Sequence, residues 1–173
     1  MKKILIAAAL LTLAGAASAQ SKSAANNFYG ELGFHNIELK ADRGSESPSL
    51  TLGTATIGYQ FHPNLSAEVF LATGLSKADF GRGSETKVDN GFGLILRPSY
   101  KFNDKFEGFV RLGYGRYTFS TNGDSTSENS VLYGVGANYY FTDRVYGQLS
   151  YTSFFDKNGD TARGFGASVG YKF

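Results

Sequence analysis

From Phe28 to the end of the chain apolar and polar residues alternate, and nowhere does the alternation give way to a 3.6-residue period. Clusters of Gly, Pro, Asn, Asp and Ser break it into segments. The pattern predicts eight strands, roughly 27–40, 50–62, 66–75, 88–102, 106–119, 130–141, 145–154 and 163–173. The connections alternate in length. "HPNL" (62–65), "NDK" (103–105) and "TDR" (142–144) are tight turns rich in Pro, Asn and Asp. Longer polar loops lie between them: "ADRGSESPS", "SKADFGRGSETK", "STNGDSTSEN" and "FDKNGDTA". Tyr59-Gln60-Phe61, Tyr100-Lys101-Phe102 and Tyr139-Tyr140-Phe141 each close a strand just before a tight turn, and Tyr171-Lys172-Phe173 closes the chain. The unit is a strand–loop–strand hairpin met four times. Four propeller blades of similar length would need about sixteen strands, more than the chain holds.

The period of two sorts each strand into two faces. One carries Phe28, Leu32, Phe34, Ile57, Val69, Leu71, Phe92, Leu94, Leu96, Val110, Leu112, Val135, Leu149, Phe165 and Val169, with the Tyr-x-Phe pairs at its end and no charged residue. The other carries Tyr29, Glu31, Gln60, Glu68, Arg97, Glu107, Arg111, Asn138, Gln148, Lys172 and many glycines. In a soluble barrel the apolar face would line the interior, the ionised face would meet water, and the glycines would have no purpose. In a membrane barrel the apolar face meets lipid and every backbone group is paired around a closed sheet. A charge on the lipid face near the midplane costs ~2–4 kcal/mol, which accounts for its absence there. The pattern therefore predicts a closed eight-stranded antiparallel up-and-down transmembrane β-barrel. Tyr59, Phe61, Tyr100, Phe102, Tyr139 and Phe141 are then expected to form an aromatic girdle at one water–lipid boundary.

The first residues change the reading of charge. "MKKILIAAALLTLAGAASAQ" has two lysines, an apolar run and the small-residue pattern Ala17-Ser18-Ala19, the marks of a cleaved secretory signal peptide over residues 1–19. Residues 20–26 read as a short linker and 27–173 as one barrel domain. The whole chain has 17 basic and 15 acidic residues, so loss of Lys2 and Lys3 with the leader brings the net charge from +2 to zero. No nucleic-acid partner is implied. With no Cys, an exported chain must hold its fold without disulfides.

A leader, eight alternating strands, tight turns opposite longer loops and a terminal Tyr-x-Phe together resemble the small OmpA/OmpX-type outer-membrane barrels of Gram-negative bacteria. The resemblance spans the expected mature chain. It implies that Tyr171 and Phe173, in "GASVGYKF", are read by the barrel-assembly machinery after periplasmic chaperones deliver the chain to the outer-membrane lipid. The chain is similar to the adhesin and invasin members, with host or surface ligands met through the loops. One departure is Pro98, which cannot donate a ladder bond and predicts a bulge or an early strand end, leaving the facing of residues 99–102 open.

Among the inward positions, Glu31, Glu68, Arg97 and Arg111 predict a salt-bridge network, since buried ions are tolerated only when paired. It reads either as the gate of a narrow pore or as a polar plug, and the plug is the simpler reading because eight strands leave little more than side-chain space. Gly91, Gly93, Gly113, Gly115, Gly134, Gly136, Gly164 and Gly166 line the lumen above it. They read as a shallow water-filled cavity or, more simply, as relief for tight curvature. His35 faces the lumen with no evident partner, and His62 lies in a turn. "DKNGD" (156–160) has acids at calcium-loop spacing but Thr161 where such a loop needs Gly, and it reads as a hairpin tip. No catalytic group, cofactor or metal site is expected. The leading expectation is a non-enzymatic barrel that displays polar loops, serving adhesion or envelope integrity. A narrow gated pore is the alternative, a lipid A-modifying barrel a more distant one, and a soluble lipocalin-like carrier is opposed by the apolar outer face.

Overall fold

The structure, a computed structural model, describes residues 27–40, 49–76, 78–79, 85–121, 124–157 and 160–173. The expected leader and linker (1–26) lie outside the described residues. Nine strands follow in order: β1 (Phe28–Lys40), β2 (Ser49–His62), β3 (Leu65–Gly74), β4 (Ala78–Asp79), β5 (Glu85–Lys101), β6 (Phe106–Thr121), β7 (Asp124–Tyr140), β8 (Val145–Lys157) and β9 (Asp160–Lys172). Every neighbour is antiparallel, β1 pairs with β9, and β3 pairs with β5, so eight strands close into a barrel. The ninth, β4, is a two-residue strand that pairs with the upper end of β5 through Ala78↔Thr86 and Asp79↔Glu85.

The alternation of burial follows the alternation of sequence. Along β3 the residues from Ser66 to Gly74 alternate strictly between buried and exposed. Leu94, Leu149 and Phe165 are 66%, 70% and 73% exposed on the outside, a surface that only lipid can cover favourably. The tight turns are held by their own side chains. Asn103 Oδ1 accepts from the amides of Lys105 and Phe106, both at 2.9 Å, and Thr142 Oγ1 accepts from those of Arg144 (3.3 Å) and Val145 (2.9 Å). Both are side-chain mimics of a backbone turn.

The structure corrects three expectations. β5 neither bulges nor ends at Pro98. Leu96↔Leu112 and Ser99↔Phe109 keep one register on either side of it, and between them residues 97 and 98 drop out of the pairing with β6. Tyr100 therefore stays outside, 63% exposed. The bulges lie instead at Gln60/His62, Val88/Asn90 and Ser153/Phe155. Second, residues 120–129 and 155–162 are mostly strand rather than loop. β6 and β7 pair up to Thr121↔Asp124, and β8 and β9 up to Lys157↔Asp160. In the Ser/Thr-rich stretch 125–129 no side chain on either face is buried, so the period of two fades there where the strand does not.

Third, the upper lumen is neither glycine-lined and open nor wholly polar. Ile37, Leu50, Leu52, Phe70, Ala72, Val88, Ile95, Tyr117, Leu132, Phe154 and Ala162 form a buried apolar cluster within it, with Leu39 and Phe119 packed against it. The glycines make room for this filling. A Cβ on Gly91 would meet the Tyr117 ring at 2.6 Å, and one on Gly93 would meet the Phe70 ring at 2.7 Å. In a barrel this narrow, large inward side chains on one strand require none on the next.

Candidate functional site

Below the apolar cluster, towards the tight turns, the four predicted charges meet. Glu31 (β1), Glu68 (β3), Arg97 (β5) and Arg111 (β6) come from four strands at inward positions. Arg97 Nη1 donates to Glu31 Oε1 at 2.8 Å and to Glu68 Oε1 at 3.0 Å. Arg111 donates from Nη2 to Glu31 Oε2 at 2.6 Å and from Nε to Glu68 Oε2 at 2.8 Å. Each carboxylate is thus bridged by both guanidiniums, and the four charges form a closed, neutral ring with Glu68 only 1% exposed. Buried ions at this depth cost several kcal/mol each unless geometry and hydrogen bonding are good. Here nearly every lone pair is used.

Sequence reasoning left out half of this assembly. Tyr29 donates its hydroxyl to Glu68 (2.8 Å), Tyr146 to Glu31 (2.8 Å) and Tyr140 to Glu107 (2.6 Å), one phenol for each lumenal carboxylate. Glu107 extends the ring downwards, 3.6 Å from Arg97 Nη2 and 4.0 Å from Lys172 Nζ. Gln148 accepts from Arg111 at 3.0 Å and donates to Glu31 at 2.8 Å and to Asn138 Oδ1 at 3.1 Å. The Phe109 ring lies under both guanidiniums, 4.1 Å from Arg97 and 5.0 Å from Arg111. The signal for these residues was their inward parity, which they share with the four charges. What hid Tyr140 and Tyr146 was their place beside aromatics of the outer face. The close approach of Tyr29 and Tyr146 to the neighbouring strand requires glycine: a Cβ on Gly58 or Gly170 would overlap those rings.

A small cavity separates the ionic and apolar layers, bordered by Arg111, Thr54, Thr56, Thr152, Ser168 and His35. His35 is not without a partner. Its Nε2 lies 3.3 Å from Ser150 Oγ, and its ring meets Phe154 edge-on at 5.0 Å. Serine beside histidine is the start of a nucleophile–base pair. Both side chains are nevertheless buried at 4–5% exposure, with the ionic ring on one side and the apolar cluster on the other. His62 sits exposed in its turn, its Nδ1 accepting from the Asn64 amide at 3.3 Å. Of "DKNGD", Asp156 and Lys157 end β8 and Asp160 begins β9, while residues 158–159 lie outside the described residues.

At the turn end of the barrel the aromatic pairs repeat one geometry. Tyr100–Phe102, Tyr139–Phe141 and Tyr171–Phe173 are edge-to-face pairs at 5.4, 5.3 and 5.5 Å with interplanar angles of 72°, 75° and 70°. Tyr59 instead packs on Phe28 at 4.8 Å, and Phe61 is 51% exposed beside it. Phe173 donates its amide to Phe28 O at 3.0 Å, so the last residue joins the strand that closes the barrel.

The sequence profile of a family described as the outer membrane protein beta-barrel domain matches residues 6–173. No curated protein matches the chain. Among solved structures, Neisserial surface protein A is similar over 84% of this chain and 97% of its own, at 18% identity and a TM-score of 0.65. Ail, the attachment invasion locus protein of Yersinia pestis, is similar over 86% and 99%, at 18% identity and a TM-score of 0.59. OprG, an outer membrane protein of Pseudomonas aeruginosa, is similar over 89% and 99%, at 13% identity and a TM-score of 0.55. At these identities the likeness is one of fold, and it is the profile match over nearly the whole sequence that assigns the chain to the outer membrane protein β-barrel domain family.

Proposed function

We propose that this outer-membrane barrel is a non-enzymatic display protein: a sealed scaffold whose extracellular hairpins make surface contacts, in adhesion or envelope integrity. The observation that carries this is the filling of the lumen. A neutral ring of interlocked charges occupies its lower half and an apolar cluster its upper half, so function is left to the ends. Both layers would have to open for a solute to pass, and a hydrophobic constriction resists wetting even when a charged one does not. The Ser150–His35 contact supports no turnover, because a scissile bond cannot reach a pair buried between two packed layers.

The remaining assignments belong to biogenesis. Residues 1–19 act as a cleaved leader, chaperones carry the chain across the periplasm, and the assembly machinery reads Tyr171 and Phe173. Tyr59, Phe61, Tyr100, Phe102, Tyr139 and Phe141 anchor the barrel at the inner water–lipid boundary. Ail of Yersinia pestis has been solved in complex with the heparin analogue sucrose octasulfate, which supports ligand contact at the surface of a barrel of this fold. The test is a binding screen on whole cells, comparing the intact protein with a variant trimmed at 41–49, 76–87, 120–129 and 155–162. Trimming should leave the outer-membrane level unchanged and abolish binding. A trimmed barrel that keeps full surface binding overturns the reading.

A further inference from the structure

The ionic assembly spends its acceptors and leaves donors over. Beneath the ring, at the turn end of the lumen, lies a cavity with room for one water-sized sphere, bordered by Ser66, Arg97, Glu107, Asn138, Tyr140 and Lys172. Two buried N–H groups of these side chains make no hydrogen bond, Arg97 Nε and Asn138 Nδ2. Their residues are 3% and 1% exposed. A relay fixes which way the Asn138 amide is turned. Arg111 can only donate, so the atom it meets at 3.0 Å is Gln148 Oε1, and Gln148 Nε2 in turn donates to Asn138 Oδ1 at 3.1 Å. The group that Asn138 turns the other way is therefore a donor. The phenols nearby have given their hydrogens to carboxylates: Tyr29 to Glu68, Tyr140 to Glu107 and Tyr146 to Glu31. Buried donors left over in this way call for an acceptor.

The same end of the lumen carries an excess of positive charge. Below the apolar cluster three carboxylates, Glu31, Glu68 and Glu107, meet four cations, Arg97, Arg111, Lys101 and Lys172. The two guanidiniums take up Glu31 and Glu68. Glu107 is left for the rest, 4.0 Å from Lys172 Nζ and 3.6 Å from Arg97 Nη2, both beyond hydrogen-bond reach. The Nζ atoms of Lys172 and Lys101 lie 4.6 and 5.5 Å from the centre of one ring, that of Tyr140. Two ammonium groups gathered on one ring repel, and a single carboxylate serves both. We propose that this cavity binds one small monovalent anion of halide size, held by Arg97 Nε, Asn138 Nδ2 and the Lys172 ammonium. An anion accepts on every side, which suits a site whose unspent side-chain nitrogens all donate. Its one charge brings the three carboxylates level with the four cations. Glu107 does not exclude it, because the Tyr140 hydroxyl caps Oε2 at 2.6 Å and the cations outnumber the carboxylate. A larger oxyanion finds no room. The bound ion locks the lower layer of the seal, so the stability of the barrel depends on which anion is present. The inference goes beyond the display reading and is tested apart from it, since the hairpins take no part.

The probe is bromide, which occupies halide sites and scatters X-rays anomalously. Crystals of the full barrel soaked in sodium bromide should show an anomalous peak within hydrogen-bonding reach of Arg97 Nε and Asn138 Nδ2. In lipid vesicles at constant ionic strength, replacing sodium gluconate by sodium chloride should raise the urea unfolding midpoint saturably, as a ligand bound by the folded state alone does. Gluconate is too large for the cavity. Lys172→Gln removes the ammonium and should raise the chloride concentration for half the shift by roughly tenfold or more, the worth of one hydrogen bond to a charged group. Lys40→Gln, which changes an exposed lysine at the far end of β1, should leave that concentration unchanged. The soak needs no variant, so a Lys172→Gln barrel that fails to fold leaves the test standing. Ordered density without anomalous signal between the two donors is a water and overturns the proposal. Bromide peaks confined to the surface overturn it too, as do equal midpoints in chloride and gluconate, or a chloride effect that Lys172→Gln leaves at full strength.

Discussion

At the scale of single residues the lumen is a set of exclusive pairings, and their energetics can be read by substitution. Arg111 touches both Glu31 and Glu68, so Arg111→Met leaves two buried carboxylates short of a partner. We expect a loss of about 3–5 kcal/mol, the usual cost of orphaning a buried charge, read as a shift in urea unfolding in lipid vesicles. Combining Arg111→Met with Glu31→Gln should recover part of that loss, and a double variant as damaged as the sum of the singles would mean the two do not interact. The glycines make a steric prediction. Gly170→Val forces a side chain into the ring of Tyr146 and should lower the folded yield, while Tyr146→Ala in the same chain should restore part of it. No recovery would assign Gly170 to backbone curvature instead.

At the scale of elements, what was legible in the sequence depended on how much of a strand lies in lipid. The outer face could be read outright, since Leu94, Leu112 and Val135 alternate with small or polar neighbours and no charge interrupts them. The β7 side of the hairpin tip could not, because Ser125, Thr126, Ser127 and Asn129 are exposed on both faces and carry no period. The apolar upper lumen escaped for a different reason. Leu50, Leu52, Phe70 and Leu132 occupy inward positions where a lipid-facing barrel is expected to be polar, and so does Phe154, in phase with Gln148, Ser150 and Thr152. Pro98 misled in the opposite sense, as its missing donor costs two pairings with β6 but leaves the register intact. The last strand carries a prediction of its own. Phe173 is held by the Phe28 carbonyl and stands beside Tyr171. Deleting it, or changing it to Asp, should reduce the outer-membrane level and leave the chain in the periplasm, as followed by fractionation. Normal membrane levels would free the chain end of any role in assembly.

At the scale of the whole molecule, a barrel closed by β1 against β9 and filled along its axis has few ways to unfold except all at once. Unheated protein in SDS is therefore expected to migrate differently from boiled protein, with a strand-type circular dichroism spectrum until it is heated. Identical migration would contradict closure. The same filling sets the central claim, that the lumen is a seal and the extracellular end does the work. Single-channel recording in a planar lipid bilayer tests it most directly. The account predicts no stable conductance steps from the wild-type barrel across the voltage range the bilayer tolerates. Reproducible openings whose size changes when Glu68 and Arg97 are neutralised together would contradict it, and would make the ionic ring a gate.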